Sequence, residues 1–299
     1  MASAQEDFRT PGIEVSIRGG IALVPYAVFW GWLLSRWLND FVLPAGVGVE
    51  PGTPYLDPAM FEPISESLAF AITYLPELAA GAWATLVITL ASITFGFIIA
   101  VPVSVARVYG RYTAWVSLVF TELIRGTPLL AQLFVLYYGL QLSSWIRELP
   151  LVGEGILPGQ AFLIAIIGFT INSAAYQAEY IRSALLSVDR GQLQAGRAIG
   201  LSRLGAIRHV VLPQALRFAI PGWSNELVYL IKYSSLAAFI TVPELFEIGR
   251  QIASSNLQHT AVFTLVALFY LAIVITASNV MGAVERRVRL PGLGGGTNR

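Results

Sequence analysis

DRGQLQAGRAIGLSRLGAIRHVVLPQALR, residues 189–217, sets five arginines and His209 between two apolar segments long enough to cross a bilayer. The whole chain of 299 residues is 56% hydrophobic and only 12% charged, with mean hydropathy +0.66. A soluble domain carries roughly 25% charged residues, so this composition belongs to an integral membrane protein. Within the basic stretch, Gly191 and Gly200 bracket a short amphipathic run, QLQAGRAI. Gly200 tolerates positive φ and is expected to stop a first helix before a second, SRLGAIRHVVL. Ala195 and Gly196 are small enough to let another protein's surface approach, and Pro213 is expected to reset the backbone at entry to the next span. The arginines suit either acidic and carbonyl groups of a protein partner or anionic lipid headgroups.

A span needs about 20 largely apolar residues to cross a hydrocarbon core of roughly 30 Å. Six segments qualify: 19–43, 79–106, 113–141, 160–184, 218–240 and 260–284. Arginine placement orients them. No basic residue lies between Arg36 and Arg107, whereas Asp40, Glu50, Asp57, Glu62, Glu66 and Glu77 do, so the 44–77 loop is expected outside. The 107–111 turn, the 189–217 loop and the tail (Arg286, Arg287, Arg289, Arg299) belong in the cytoplasm. Loops 142–159 and 241–258 hold one arginine each, Arg147 and Arg250, against two glutamates each, as outside loops should. The expected architecture is all-α integral membrane, with six spans and both termini cytoplasmic. The first segment competes with a signal peptide, but its apolar run of about 25 residues exceeds a signal core of roughly 7–15 and carries Trp30, Trp32 and Trp37, which favours a retained anchor. With five prolines, 44–63 reads as an irregular connection. That connection sets the first span apart from the five that follow.

Several chemistries are excluded by residue supply. There is no cysteine, and the two histidines, His209 and His259, are far apart, which leaves no disulfide, thiol nucleophile or His-rich metal site. A phosphate-binding P-loop needs G-x-x-x-x-G-K-[ST]. The single lysine, Lys232, follows Tyr229-Leu230-Ile231, so ATP cannot bind by that motif here. No cofactor is expected on this chain, an enzyme lacks the parts, and nothing points to nucleic acid.

Polar residues at membrane depth usually face a cavity or a partner. Asn172, Tyr176, Glu179 and Ser183 recur on one helical face, and Asn225, Tyr229, Lys232 and Ser235 repeat the geometry on the fifth segment. An amino-acid zwitterion needs an anion for its ammonium and donors for its carboxylate, which Glu179 and Lys232 offer. Structural alternatives stand beside that reading: Glu179 pairs with Arg182 at i, i+3, and Lys232 neutralises Glu226 or Glu122. In the third segment Glu122 and Arg125 precede Gly126-Thr127-Pro128, where the missing proline donor predicts a kink or break. That pair either braces the bend or gates a path, and Gln132 and Tyr138 either line the path or bond between helices.

The basic stretch also keeps a spacing. Gln194-Ala195-Gly196, Gly200, Val210 and Leu212-Pro213 resemble the EAA loop of permeases in ABC importers: E-A-A, three residues, G, nine residues, I, one residue, L-P. TELIRGTPLLAQLFVLYYGL (121–140), YQAEYIRSALLSVDRGQLQAGRAIGLS (176–202) and LPQALRFAIPGWSNELVYLIKYSSL (212–236) resemble, in order, the signatures of permeases for polar amino acids of the histidine/glutamine type. The resemblance covers about 78–288 and so implies a five-helix permease core there, with an extra N-terminal helix and acidic linker before it (1–77) and a tail after it (289–299); it also implies an ATPase-coupling role for Gly191, Gln194, Ala195, Gly196, Arg197, Gly200, Leu201, Leu212 and Pro213. It further implies two cytoplasmic ABC ATPases that hold ATP and Mg, a second permease chain, an external substrate-binding protein, a polar amino acid as substrate, and the cytoplasmic membrane of a prokaryote. Gln194 replaces the family's Glu, Gly196 its second Ala and Val210 its Ile, and Tyr233-Ser234-Ser235 stands where Asp-Thr-Ser usually follows the lysine. The alternative, a stand-alone secondary transporter or channel, calls for inverted repeats or a dense ion-coupling site, which the sequence does not display.

Overall fold

The structure, a computed structural model, describes residues 20–44, 46–140, 142–148, 152–153 and 159–288. Arg9 and Arg18, most of the 149–158 stretch and the tail with Arg289 and Arg299 lie outside the described residues. Among the described residues every regular element is helical.

Helix α1 (Gly20–Trp37) widens into a π turn, Leu38–Val42. Helix α2 (Glu66–Tyr109) is 44 residues, about 66 Å at 1.5 Å per residue. Ser65 caps it by accepting from the Leu68 N–H, so the helix starts ahead of the boundary expected at 77. After the turn come α3 (Tyr112–Arg125) and α4 (Leu129–Phe134, extended by the π turn Val135–Gly139), bent 101° from each other. The expected third span is therefore a broken pair. A short α5 (Leu142–Arg147) precedes α6 (Gln160–Ser187). Then follow α7 (Arg190–Ala198), α8 (Arg203–Ala206) and α9 (Leu212–Tyr233), which tightens into a 3₁₀ stretch, Ser234–Ile240. The loop expected at 241–258 contains α10 (Leu245–Asn256), and α11 (His259–Val288) closes the described chain.

Three helices are long and apolar enough to cross a membrane, α2, α6 and α11, and the α3–α4 pair makes a fourth if counted as one span. The first and fifth expected spans are helical but fall outside that set. Helix α1 carries Arg36 among its tryptophans, and α9 carries Arg217, Glu226 and Lys232.

Helix α2 is the spine, with three apolar clusters succeeding one another along it. Leu78, Ala79 and Ala82 meet α1, α10 and α11; Ile88 and Ile93 meet α4, α6 and α9; Ala100 meets the lower half of α6 and the start of α9. Its most extensive interface is with α6. Small residues make that approach close: a Cβ on Gly96 would stand 3.2 Å from the Ala174 nitrogen, and Ala174, Ala175 and Ala178 are fully buried. Helix association in lipid relies on such contacts because apolar burial gives little net drive there.

The N-terminal helix docks at one end of this core, against α2 and α11. Trp37 Nε1 donates to the Ala79 carbonyl at 2.7 Å, Phe29 meets Phe269 edge-on at 5.2 Å, and Tyr26 bonds Thr276 at 2.6 Å. The 44–63 connection is irregular, yet anchored. Arg36, fully buried, pairs with Asp40 at 2.6 Å and donates to the carbonyls of Thr53 and Glu50, while Asn39 exchanges two hydrogen bonds with the backbone of Val49.

Glu244 joins α2, α10 and α11. Its buried carboxylate accepts from the Phe246 and Glu247 N–H groups at 2.9 and 2.8 Å, starting α10, and from the Tyr270 hydroxyl at 2.9 Å. Burial outweighs these bonds and pushes the carboxyl from 4.5 up to about 7. The folded chain then binds more protons than the unfolded one between those values. That stability is fully present below the ordinary carboxyl value and is lost as pH rises through about 7. We expect the melting temperature of the solubilised chain to fall between about pH 4.5 and pH 7, and Glu244→Gln to flatten the slope; an unchanged slope in the variant refutes the assignment.

Candidate functional site

The basic loop is a helical hairpin. Asp189 accepts from the Gly191 N–H at 2.7 Å and starts α7, which ends at Gly200 with φ +91, the conformation expected there. Ser202 caps α8 by accepting from the Gly205 N–H at 3.0 Å. Two expectations are corrected. Gly196 is not open to a partner: it is buried, and a Cβ there would stand 3.0 Å from Ala206 Cβ and 3.3 Å from Val210 Cγ2, so its smallness closes the hairpin on itself. Pro213 does not reset the backbone either. The chain is helical from Arg203 through Tyr233, with the π turn Ile207–Val211 just before the proline. The Leu212 N–H reaches back to the Ile207 carbonyl, and this wider turn accommodates a ring that would clash in an ordinary helix.

What the hairpin exposes is Gln194, Ala195, Arg197, Ile199 and Leu204, with Ile199 79% and Leu204 69% accessible. Arg197 has no ion-pair partner among the described residues. Leu201 and Leu212 are half-buried. Arg203, also exposed, donates to the Tyr109 carbonyl at the end of α2 at 3.2 Å, and Gln214 donates to Gln192 at 3.3 Å.

The α3–α4 break is a second polar assembly. The Gly126 N–H donates to the Glu122 carbonyl, and the Thr127 hydroxyl to that of Leu123. Pro128 opens α4 from extended backbone. Gln132 Nε2 donates to the Ile124 carbonyl at 2.6 Å and to Thr127 Oγ1 at 2.8 Å, and its Oε1 accepts from Asn172 at 3.1 Å. Gln132 and Asn172, read as path residues, thus satisfy the carbonyls the break leaves open and tie it to α6.

Beside it Glu179 accepts from Arg182 Nε at 2.9 Å, the intrahelical pair realised. Arg125 lies 3.9 Å from Glu179, 3.8 Å from Glu122 and 5.5 Å above the Tyr176 ring. The structure therefore brings Glu122, Arg125, Tyr176, Glu179 and Arg182 together. It does not gather the α9 stripe with them. Asn225, Tyr229 and Lys232 sit on an exposed face, Tyr229 stacks on Tyr233 at 5.9 Å, and Ser235 bonds the Lys232 carbonyl at 2.9 Å. Among the described residues Lys232 pairs with neither Glu226 nor Glu122, and Glu226 is buried against Ser173.

Residues 92–290, spanning both assemblies, match the family described as the binding-protein-dependent transport system inner membrane component. The chain belongs to this family of transport permeases. The glutamine transport system permease protein GlnP of Escherichia coli is 36% identical over 217 residues, 72% of this chain and 94% of the relative. The L-cystine transport system permease protein TcyB of Bacillus subtilis is 38% identical over 218 residues, 72% and 88% of the two chains. A crystal structure of an amino acid ABC transporter with histidines has 29% identity and a TM-score of 0.62, covering 73% of this chain and 97% of that one. The resemblance carried by the three motifs is borne out. Helix α1 and its anchored linker precede the matched region of the permease.

One residue of the permease's core escaped the sequence reading. Gln177 is fully buried and joins three helices: Nε2 donates to the Ile93 carbonyl at 3.0 Å and to Ser173 Oγ at 2.8 Å, and Oε1 accepts from Trp223 Nε1 at 2.6 Å. An amide sharing a helical face with Ser173, Ala174, Ile181 and Ala184 was the available signal. Gln177→Leu leaves the Trp223 donor unpaired, and we expect a loss of about 1–3 kcal/mol, read as a lower denaturation midpoint in detergent. A variant as stable as the parent removes Gln177 from this role.

Proposed function

We propose that the chain is the permease subunit of an ATP-driven importer of polar amino acids in the cytoplasmic membrane of a prokaryote. It crosses six times with both termini inside. Two permease chains, identical or paired with a sibling, work with two cytoplasmic ABC ATPases and an external substrate-binding protein. ATP and Mg sit on the ATPases, since this chain has no P-loop. The observation that carries the reading is the shape of the 189–213 hairpin. Its tip offers Ile199 and Leu204 for burial by another protein, and its second arm continues without a break into α9. ATPase closure pushes on the tip, and the stiff helix conveys the displacement to Asn225, Tyr229 and Lys232, which with Tyr176 and Glu179 form the walls of the path once two permeases face each other. The chain itself performs no covalent chemistry.

With Gln194 in place of a glutamate, docking rests on apolar fit more than on an ion pair, and Gly196 lets the two arms close. Each exposed aliphatic side chain buried at such a contact contributes about 1.5–3 kcal/mol. Ile199→Asp with Leu204→Asp should abolish copurification of the neighbouring ATPase and stop uptake while leaving the helical content unchanged. Gln194→Glu should tighten the complex and make it more sensitive to salt. Full ATPase retention by the double variant sinks the docking role.

A further inference from the structure

Arg125 is the one member of the charged cluster whose guanidinium is left over. Arg182 is engaged by hydrogen bonds to both oxygens of Glu179. Arg125 approaches Glu122 and Glu179 only to 3.8 and 3.9 Å, beyond hydrogen-bonding range, and its Nε is buried with no acceptor. Buried donors on a cation are rarely left unmade without a reason. Helix geometry puts this group about 20 Å along α3 from its start, at the helix's far end. A third guanidinium, Arg107, also acts electrostatically on Glu179 and likewise has a buried Nε without an acceptor. Three arginines against two glutamates leave this region with one positive charge and two unspent donors.

We propose that Arg125 binds the α-carboxylate of the transported amino acid, a role the residue pattern alone suggested for Lys232. The assignment rests on the reading that substrate passes along α6 in this chain. A planar guanidinium offers a carboxylate two parallel N–H donors, whereas an ammonium offers a point charge. Lys232 lies exposed on α9, whereas Arg125 is held in place, its face packed on Tyr176 and its flanks steadied by two carboxylates that do not saturate it. The incoming carboxylate takes the place of Glu122, the more exposed of those neighbours at 61%, without displacing the Glu179–Arg182 pair. The position also ties substrate to the backbone break, because Arg125 is the last residue of α3 and Gln132 bonds across the break to Ile124 and Thr127.

The test uses the assembled permease–ATPase complex in nanodiscs without the binding protein, so that only the membrane site selects. Equilibrium binding is measured for L-glutamine, L-histidine, L-arginine and L-cystine, each beside its α-amide, which keeps the ammonium and side chain and lacks the carboxylate charge. The wild type should prefer at least one acid over its amide by about tenfold or more. Arg125→Gln should lose that preference, and Arg125→Lys should keep part of it. An Arg125→Gln complex that hydrolyses ATP normally and still prefers the acid overturns the assignment alone. A wild type that prefers no acid overturns the substrate path with it. If Arg125→Gln instead splits the permease pair while binding persists, the acceptor is the second chain, and the assignment falls.

Discussion

The interface between α2 and α6 is the constraint on which the rest of the structure hangs. In hydrocarbon, two helices gain little by hiding apolar side chains from a solvent that is itself apolar, so they must come close enough for dispersion and a few hydrogen bonds to hold them. Gly96 and the alanines of α6 permit that distance, and Gln177 exploits it by reaching the backbone of α2 on one side and Trp223 of α9 on the other. Every other helix takes its position from this pair, with α10 and α11 at one end of the spine and the basic hairpin at the other.

The break between α3 and α4 shows how a membrane protein tolerates irregular backbone. A proline in mid-helix strands carbonyls that lipid cannot satisfy. Here Thr127 and Gln132 satisfy them locally, and Asn172 fastens the repair to α6. Polar side chains that would be costly alone become economical when each answers a backbone demand. The same accounting separates Gln132, which is saturated, from Arg125, which is not.

Much of this was legible from residues. Glycine at 200 marked the turn of the hairpin because only an unbranched backbone takes φ +91 easily, and Pro128 marked the break. The polar faces of α6 and α9 followed from helical spacing. What sequence left open were matters of direction and partnership. Whether Gly196 faced a partner or its own hairpin depends on how tightly two short helices fold back, and that is a tertiary fact. The passage of α8 into α9 was hidden because a proline ordinarily signals a start, and a π turn lets it sit inside instead. Helix α10 was concealed in a loop assignment made from charge alone, although Glu244 followed by Glu247 and Arg250 carries the signature of a capped helix.

The first and last described helices meet, and this sets an order for assembly. Tyr26 and Phe29 of the first helix pack on Thr276 and Phe269 of the last. When α1 emerges during synthesis its eventual neighbour does not yet exist, so its aromatic face stays unpartnered until some 250 residues later. Arg36 cannot wait in the same way, and its partner Asp40 is supplied four residues on, within the same stretch of chain. The first helix thus starts with its charge already answered and its packing surface deferred, and this part of the fold closes only once α11 has been made.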